Sequence, residues 1–161
     1  MNNTTVYVNA IQDSLQKKLD VLGHLLQLSQ EQSDILKQEE PNIDRFDDIM
    51  LKKEELLREM AELDKGFEAL FAKIGTELKE NKYQYQEQIQ QMQNLIRGIT
   101  DSGVRLEGLE KRNRDAFQGY LTGARREIRD FKSSSKMAES YSQNMANQHR
   151  QWQSYFMDQK K

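Results

Sequence analysis

The sequence predicts an all-α fold: an elongated antiparallel helical bundle or coiled coil of about three long helices, followed by a C-terminal tail segment. Three observations carry that expectation. Apolar residues recur in sevens from Ile43 to Leu78, which is the period of packed helices rather than of strands. The chain of 161 residues has one proline, 8% aromatic and 31% charged residues, a composition of long helices rather than of a compact mixed domain. Charge is also divided unevenly. Residues 1–80 carry 17 acidic and 10 basic side chains, and residues 81–161 carry 9 and 14. Opposed charge on successive segments favours helices folding back on one another.

The first segment runs from about Thr5 to Lys37. Val8, Ile11, Leu15, Leu19, Leu22 and Leu26 follow helical three-and-four spacing, and Val21, Leu25 and Leu28 widen the stripe. Thr4 or Thr5 is placed to cap its start. Gly23 costs about 1 kcal/mol relative to alanine in a helix and marks a candidate close contact. His24 beside the stripe reads as a partly exposed structural residue. The sequence Glu39-Glu40-Pro41-Asn42 breaks the helix, because proline disfavours helical backbone at the residue before it and Asn42 or Asp44 can cap the next helix.

The second segment organises the chain as read from sequence. One heptad column is Ile43, Met50, Leu57, Asp64, Phe71, Leu78; a second is Phe46, Lys53, Met60, Phe67, Ile74; a third is Ile49, Leu56, Leu63, Leu70. Only Asp64 and Lys53 fall out of pattern. Three apolar columns are more than a two-stranded seam needs, so this helix should meet more than one neighbour.

Where it ends has two readings. Lys79-Glu80-Asn81-Lys82 contains no glycine or proline, and Asn81 alone is a fair C-terminal cap. The first column continues in phase through Tyr85, Met92, Ile99 and Leu106. An unbroken helix over 43–131 would be about 130 Å long, and a single chain could not bury its stripe, so that version requires a homodimer. A turn near 80–82 is the preferred reading.

The third segment runs from about Tyr83 to Phe131, with Tyr85, Ile89, Met92, Ile96, Ile99, Leu106 and Leu109 and then Phe117, Leu121, Ala124, Ile128 and Phe131 as its stripe. Gly98, Gly103, Gly108, Gly119 and Gly123 are expensive within a helix. They imply either a bend at Thr100–Gly103 or close approach of another backbone. Ser133-Ser134-Ser135 is a joint, dividing a bundle over 1–132 from a segment over 133–161. In the latter, Met137, Tyr141, Met145, Trp152 and Phe156 stand at drifting helical spacing among Ser, Gln and Asn. Methionine adapts to irregular surfaces and aromatics give large contact area, so these five are the candidate partner-binding residues.

Catalytic and ligand chemistry finds no support, and no cofactor is implied. Cysteine is absent, and the two histidines, His24 and His149, are too far apart for a short metal motif. Arg125, Arg126, Arg129 and Lys132 make a basic cluster, but a net charge of −2 and the lack of interleaved aromatics argue against nucleic acid. The N-terminus has neither the basic nor the apolar region of a secretory signal, and no apolar run approaches the ~20 residues of a membrane span. A cytoplasmic protein without membrane insertion is expected.

Three stretches together resemble the FlgN family of flagellar type III export chaperones. Phe46 to Leu57 (Phe-Asp-Asp-Ile-Met-Leu-Lys-Lys-Glu-Glu-Leu-Leu) is similar to that family's lysine-then-paired-acid run ahead of leucines. Leu109-Glu110-Lys111-Arg112-Asn113-Arg114, leading to Tyr120-Leu121, resembles its Glu/Asn-x-x-Asn segment. Ala138-Glu139-Ser140-Tyr141 resembles its tyrosine in a polar stretch. The resemblance implies a cytoplasmic chaperone that holds the C-terminal helices of unassembled hook-associated proteins and passes them to the export machinery. A client-free coiled-coil scaffold, dimeric through the 43–131 stripe, is the alternative.

Overall fold

The computed structural model describes residues 3–123, which form three helices: α1 (Asn3–Leu36), α2 (Ile43–Glu80) and α3 (Gln86–Gly123). No strand occurs among the described residues. At 1.5 Å per residue, a 38-residue helix such as α2 or α3 is about 57 Å long. The chain runs up, down and up, so that α2 is antiparallel to both others and α1 lies parallel to α3. Cross-helix bonds give the register: Thr4 meets Glu77 and Gln32 meets Phe46 between α1 and α2, while Gln12 meets Gln91 and Ser29 meets Glu110 between α1 and α3.

The turn between α1 and α2 forms where proline requires it. The Asn42 side chain accepts from the Arg45 amide at 3.1 Å and caps α2, as its short polar side chain predicts. Arg45 then reaches back to α1, donating through Nε and Nη2 to the two Glu31 carboxylate oxygens at 2.9 Å each. That fork holds the Glu31 carboxyl below the usual range, through the hydrogen bond first and charge second.

The second turn, at 81–85, overlaps the expected 80–82 and runs three residues beyond it, so that α3 begins at Gln86 rather than near Tyr83, and the unbroken 43–131 helix does not form. Asn81 does not adopt the left-handed conformation typical of a C-terminal cap. Its φ is −117°, and its backbone N–H donates to the Glu77 carbonyl at 2.9 Å. No described residue, glycine included, has a positive φ, so this turn requires no glycine. Tyr85, buried at its end, anchors the chain, while Tyr83 stays exposed.

Four expectations need correction. Thr4 lies inside α1 rather than capping it, and its hydroxyl donates to Glu77 of α2 at 2.5 Å. Gly23 makes no close contact; a Cβ there would meet nothing within 4 Å. No bend interrupts Thr100–Gly103, because α3 is continuous from Gln86 to Gly123. Its flanking Ile96, Ile99 and Leu106 are buried, and that packing outweighs the glycine penalty. Finally, α1 rather than α2 is the central helix. It packs backbone to backbone against both others, whereas no Cα of α2 comes within 8 Å of a Cα of α3.

The α2 column Phe46, Lys53, Met60, Phe67, Ile74 is buried at every position, and Leu15, Leu22 and Leu25 of α1 are fully covered. Each such leucine is worth about 1.5–3 kcal/mol by transfer from water. Between α2 and α3 contact is made by long side chains. Phe46 stacks on Phe117 with ring centroids 4.9 Å apart and planes 7° from parallel, at the end of the bundle that holds the α1–α2 turn.

Candidate functional site

The two residues that break the heptad columns of α2 are where the bundle's interior chemistry lies. Lys53, in the fully buried middle column, has no exposed side-chain surface. Its ammonium donates to the Gln32 amide oxygen of α1 at 2.7 Å and to the Glu110 carboxylate of α3. The Ser29 hydroxyl of α1 donates to the same carboxylate oxygen, and Asn113, one turn beyond Glu110, donates through Nδ2 to the Ser29 carbonyl at 2.8 Å. Gln32 closes the cluster by donating to the Phe46 carbonyl at 3.4 Å. Four side chains from three helices, Ser29, Gln32, Lys53 and Glu110, thus bond one another in the core, and Asn113 joins them through the Ser29 backbone carbonyl.

Asp64, the other exception, lies further along α2 and pairs with Lys18, whose side chain is fully covered between α1 and α2. The Lys18 ammonium also sits 5.1 Å from the centroid of the Phe67 ring, whose face attracts a cation. Burial pushes both lysines below the ordinary lysine range. Glu110 and Asp64 pull the other way and do not fully offset it.

On the outside, an open trough runs between α1 and α2. Leu28 and Leu56 form its floor, and His24, Lys52, Glu55 and Glu59 stand along its rim. His24 is exposed there, more so than the partly exposed position read from the sequence. Among the described residues no cluster of His, Cys, Asp and Glu could hold a metal ion, and no helix is long and apolar enough to cross a membrane. The five residues singled out as partner-binding, Met137, Tyr141, Met145, Trp152 and Phe156, and the basic cluster Arg125–Lys132 all lie outside the described residues.

Two of the stretches that carry the family resemblance therefore meet in space. Lys53 comes from one, Glu110 and Asn113 from the other, and the helix pair they bridge has no close backbone contact. Against known families, a model described as FlgN protein matches residues 1–148. The chain belongs to the FlgN family. No individual curated protein and no solved structure gives a match. The FlgN match spans all three helices and reaches Met137, Tyr141 and Met145, but ends before Trp152 and Phe156. FlgN proteins are flagellar export chaperones, so the bundle is that of an all-α chaperone of flagellum assembly. Sequence reasoning marked Lys53 and Asp64 as exceptions to the pattern. It gave no role to Lys18, Ser29 or Gln32, although these interrupt the α1 columns in the same way.

Proposed function

We propose that this chain is a cytoplasmic export chaperone for unassembled hook-associated proteins, holding their C-terminal helical segments and delivering them to the export machinery. The family match over residues 1–148 carries the reading. Met137, Tyr141, Met145, Trp152 and Phe156 grip the client. A junction protein before assembly exposes an amphipathic helix intended for its neighbours in the filament, and methionine and aromatic side chains cover such a helix by groove-type recognition. The chain needs neither cofactor nor catalytic group for this work. The bundle supports the reading indirectly, since its columns of apolar residues are used within one chain and are not offered to the client.

The rival reading, a coiled-coil scaffold, depends on a continuous stripe over 43–131, and the turn at 81–85 interrupts that stripe. The experiment is co-purification of co-expressed hook-associated proteins with the intact chain and with the double variant Trp152→Ala/Phe156→Ala. Client recovery should be lost while helicity, measured by circular dichroism, is kept. Undiminished recovery removes these two residues from the site.

A further inference from the structure

Heptad columns made only of apolar residues do not define a register. Sliding one helix past another by seven residues brings hydrocarbon back opposite hydrocarbon, and the same columns equally suit two copies of a chain lying side by side. In this bundle, polar residues interrupt the buried columns on every helix. On α1 they include Lys18 and Gln32, in the column Ile11, Lys18, Leu25, Gln32, and Ser29, at the end of Val8, Leu15, Leu22. On α2 they are Lys53 and Asp64. On α3 they are Asn113, after Met92, Ile99 and Leu106, and Glu110, between Gly103 and Phe117. Each of these seven residues meets another of the set, in the pair Lys18–Asp64 or in the cluster around Lys53 and Glu110.

We propose that these polar insertions are a pairing code: they fix the register of the three helices and exclude the parallel two-chain coiled coil that the apolar columns otherwise permit. A seven-residue slide of α3 brings Gly103 or Phe117 to Lys53, and a slide of α2 brings Phe46 or Met60 to Glu110. Either leaves a buried charge against hydrocarbon. A parallel dimer does worse, because Lys53 and Asp64 would each face their own copy across the seam and Glu110, one position outside it, would be parted from Lys53. The up-down-up chain joins unlike charges instead. The two groups lie 14 residues apart along α1, counted from Lys18 to Gln32, or about 21 Å. A match at one therefore cannot tolerate a slip at the other.

The test uses the full chain, which has no cysteine of its own. Gln12 and Gln91 touch at 2.6 Å between α1 and α3, so Gln12→Cys/Gln91→Cys reports the native register. Gln12→Cys/Gly98→Cys reports a slide of one heptad. With a short bis-maleimide, the first pair should cross-link more than about ten-fold over the second, the preference that one misplaced buried charge more than supplies. In a Lys53→Met/Glu110→Met background that preference should fall to near unity, and adding Lys18→Met/Asp64→Leu, which clears the remaining charges from the columns, should let part of the chain sediment as an elongated dimer. A folded monomeric variant that keeps the full preference overturns the proposal. So does a variant that loses its helicity, because the pair is assigned selectivity and not net stability. Charge reversal supplies the converse: Lys53→Glu/Glu110→Lys should recover the native preference that Lys53→Glu alone loses, and failure to recover it overturns the code.

Discussion

Removing the Glu110 carboxylate isolates the energetics of the core pair. Lys53 has 0% of its side chain exposed and Glu110 has 7%, so the lysine is shut off from water and the carboxylate nearly so. Glu110→Ala removes the carboxylate and leaves the ammonium facing the neutral Gln32 oxygen at 2.7 Å. Breaking a buried pair in this way costs about 3–5 kcal/mol. An independent bound comes from the proton. Lysine can escape the penalty by deprotonating, and from an unfolded pKa of about 10.4 that costs about 4.6 kcal/mol at pH 7. The two figures agree. For a chain of this length they correspond to a fall in melting temperature of about 6–20 °C. The pH dependence has a definite sign. With its folded pKa depressed, Lys53 binds fewer protons in the native than in the unfolded state, so stability rises with pH from the folded pKa up to the unfolded one. The penalty of Glu110→Ala should therefore shrink as pH rises from 7 toward 10. Chemical denaturation followed by circular dichroism at several pH values measures both. A penalty under about 1 kcal/mol, as for an exposed pair, or one unchanged between pH 7 and 10, would refute the assignment of Lys53 to a dry core.

Two further predictions concern the bundle. Phe117→Ala removes the ring stacked on Phe46 and should cost about 3–5 kcal/mol; a loss below about 1 kcal/mol in equilibrium unfolding would mean that this end of α3 is not packed as described. Asp47 is pushed above the usual carboxylate range, by burial first and then by its neighbours Asp44 and Asp48. A raised carboxyl pKa gives stability that is present below the unfolded pKa and lost as pH rises through the folded one. Asp47→Asn should thus raise the melting temperature at neutral pH and lose that advantage on acidification below about pH 4; equal effects at both pH values would contradict it.

Much of the fold was legible because it depends on local chemistry. Pro41 and Asn42 mark the first turn by backbone sterics and capping, and the sevenfold spacing of Phe46, Met60, Phe67 and Ile74 gives the buried face of α2. The turn at 81–85 was harder to see, since its backbone needs no glycine and the heptad phase passes through it to Tyr85. Stripe width shows how much of a helix is covered but not which helix lies between the other two. For that reason α2 read as the organiser and α1 took the place. The core site was half legible. Lys53 and Asp64 stood out as errors in an apolar column, yet their partners lie on other helices, Glu110 being 57 residues away from Lys53. No spacing rule within one helix could have named them.

The central place of α1 also bears on the order in which a growing chain can acquire this structure. Once α1 and α2 have been made, their hairpin can bring Lys53 beside Gln32, but the carboxylate that neutralises the lysine belongs to a helix still to be synthesised. On such a half-built hairpin the ammonium still meets water on the side that α3 will cover, and its burial waits for Glu110 and Asn113, which arrive together on α3. Closure of this part of the interior then depends on one turn of α3, the turn that carries both Glu110 and Asn113.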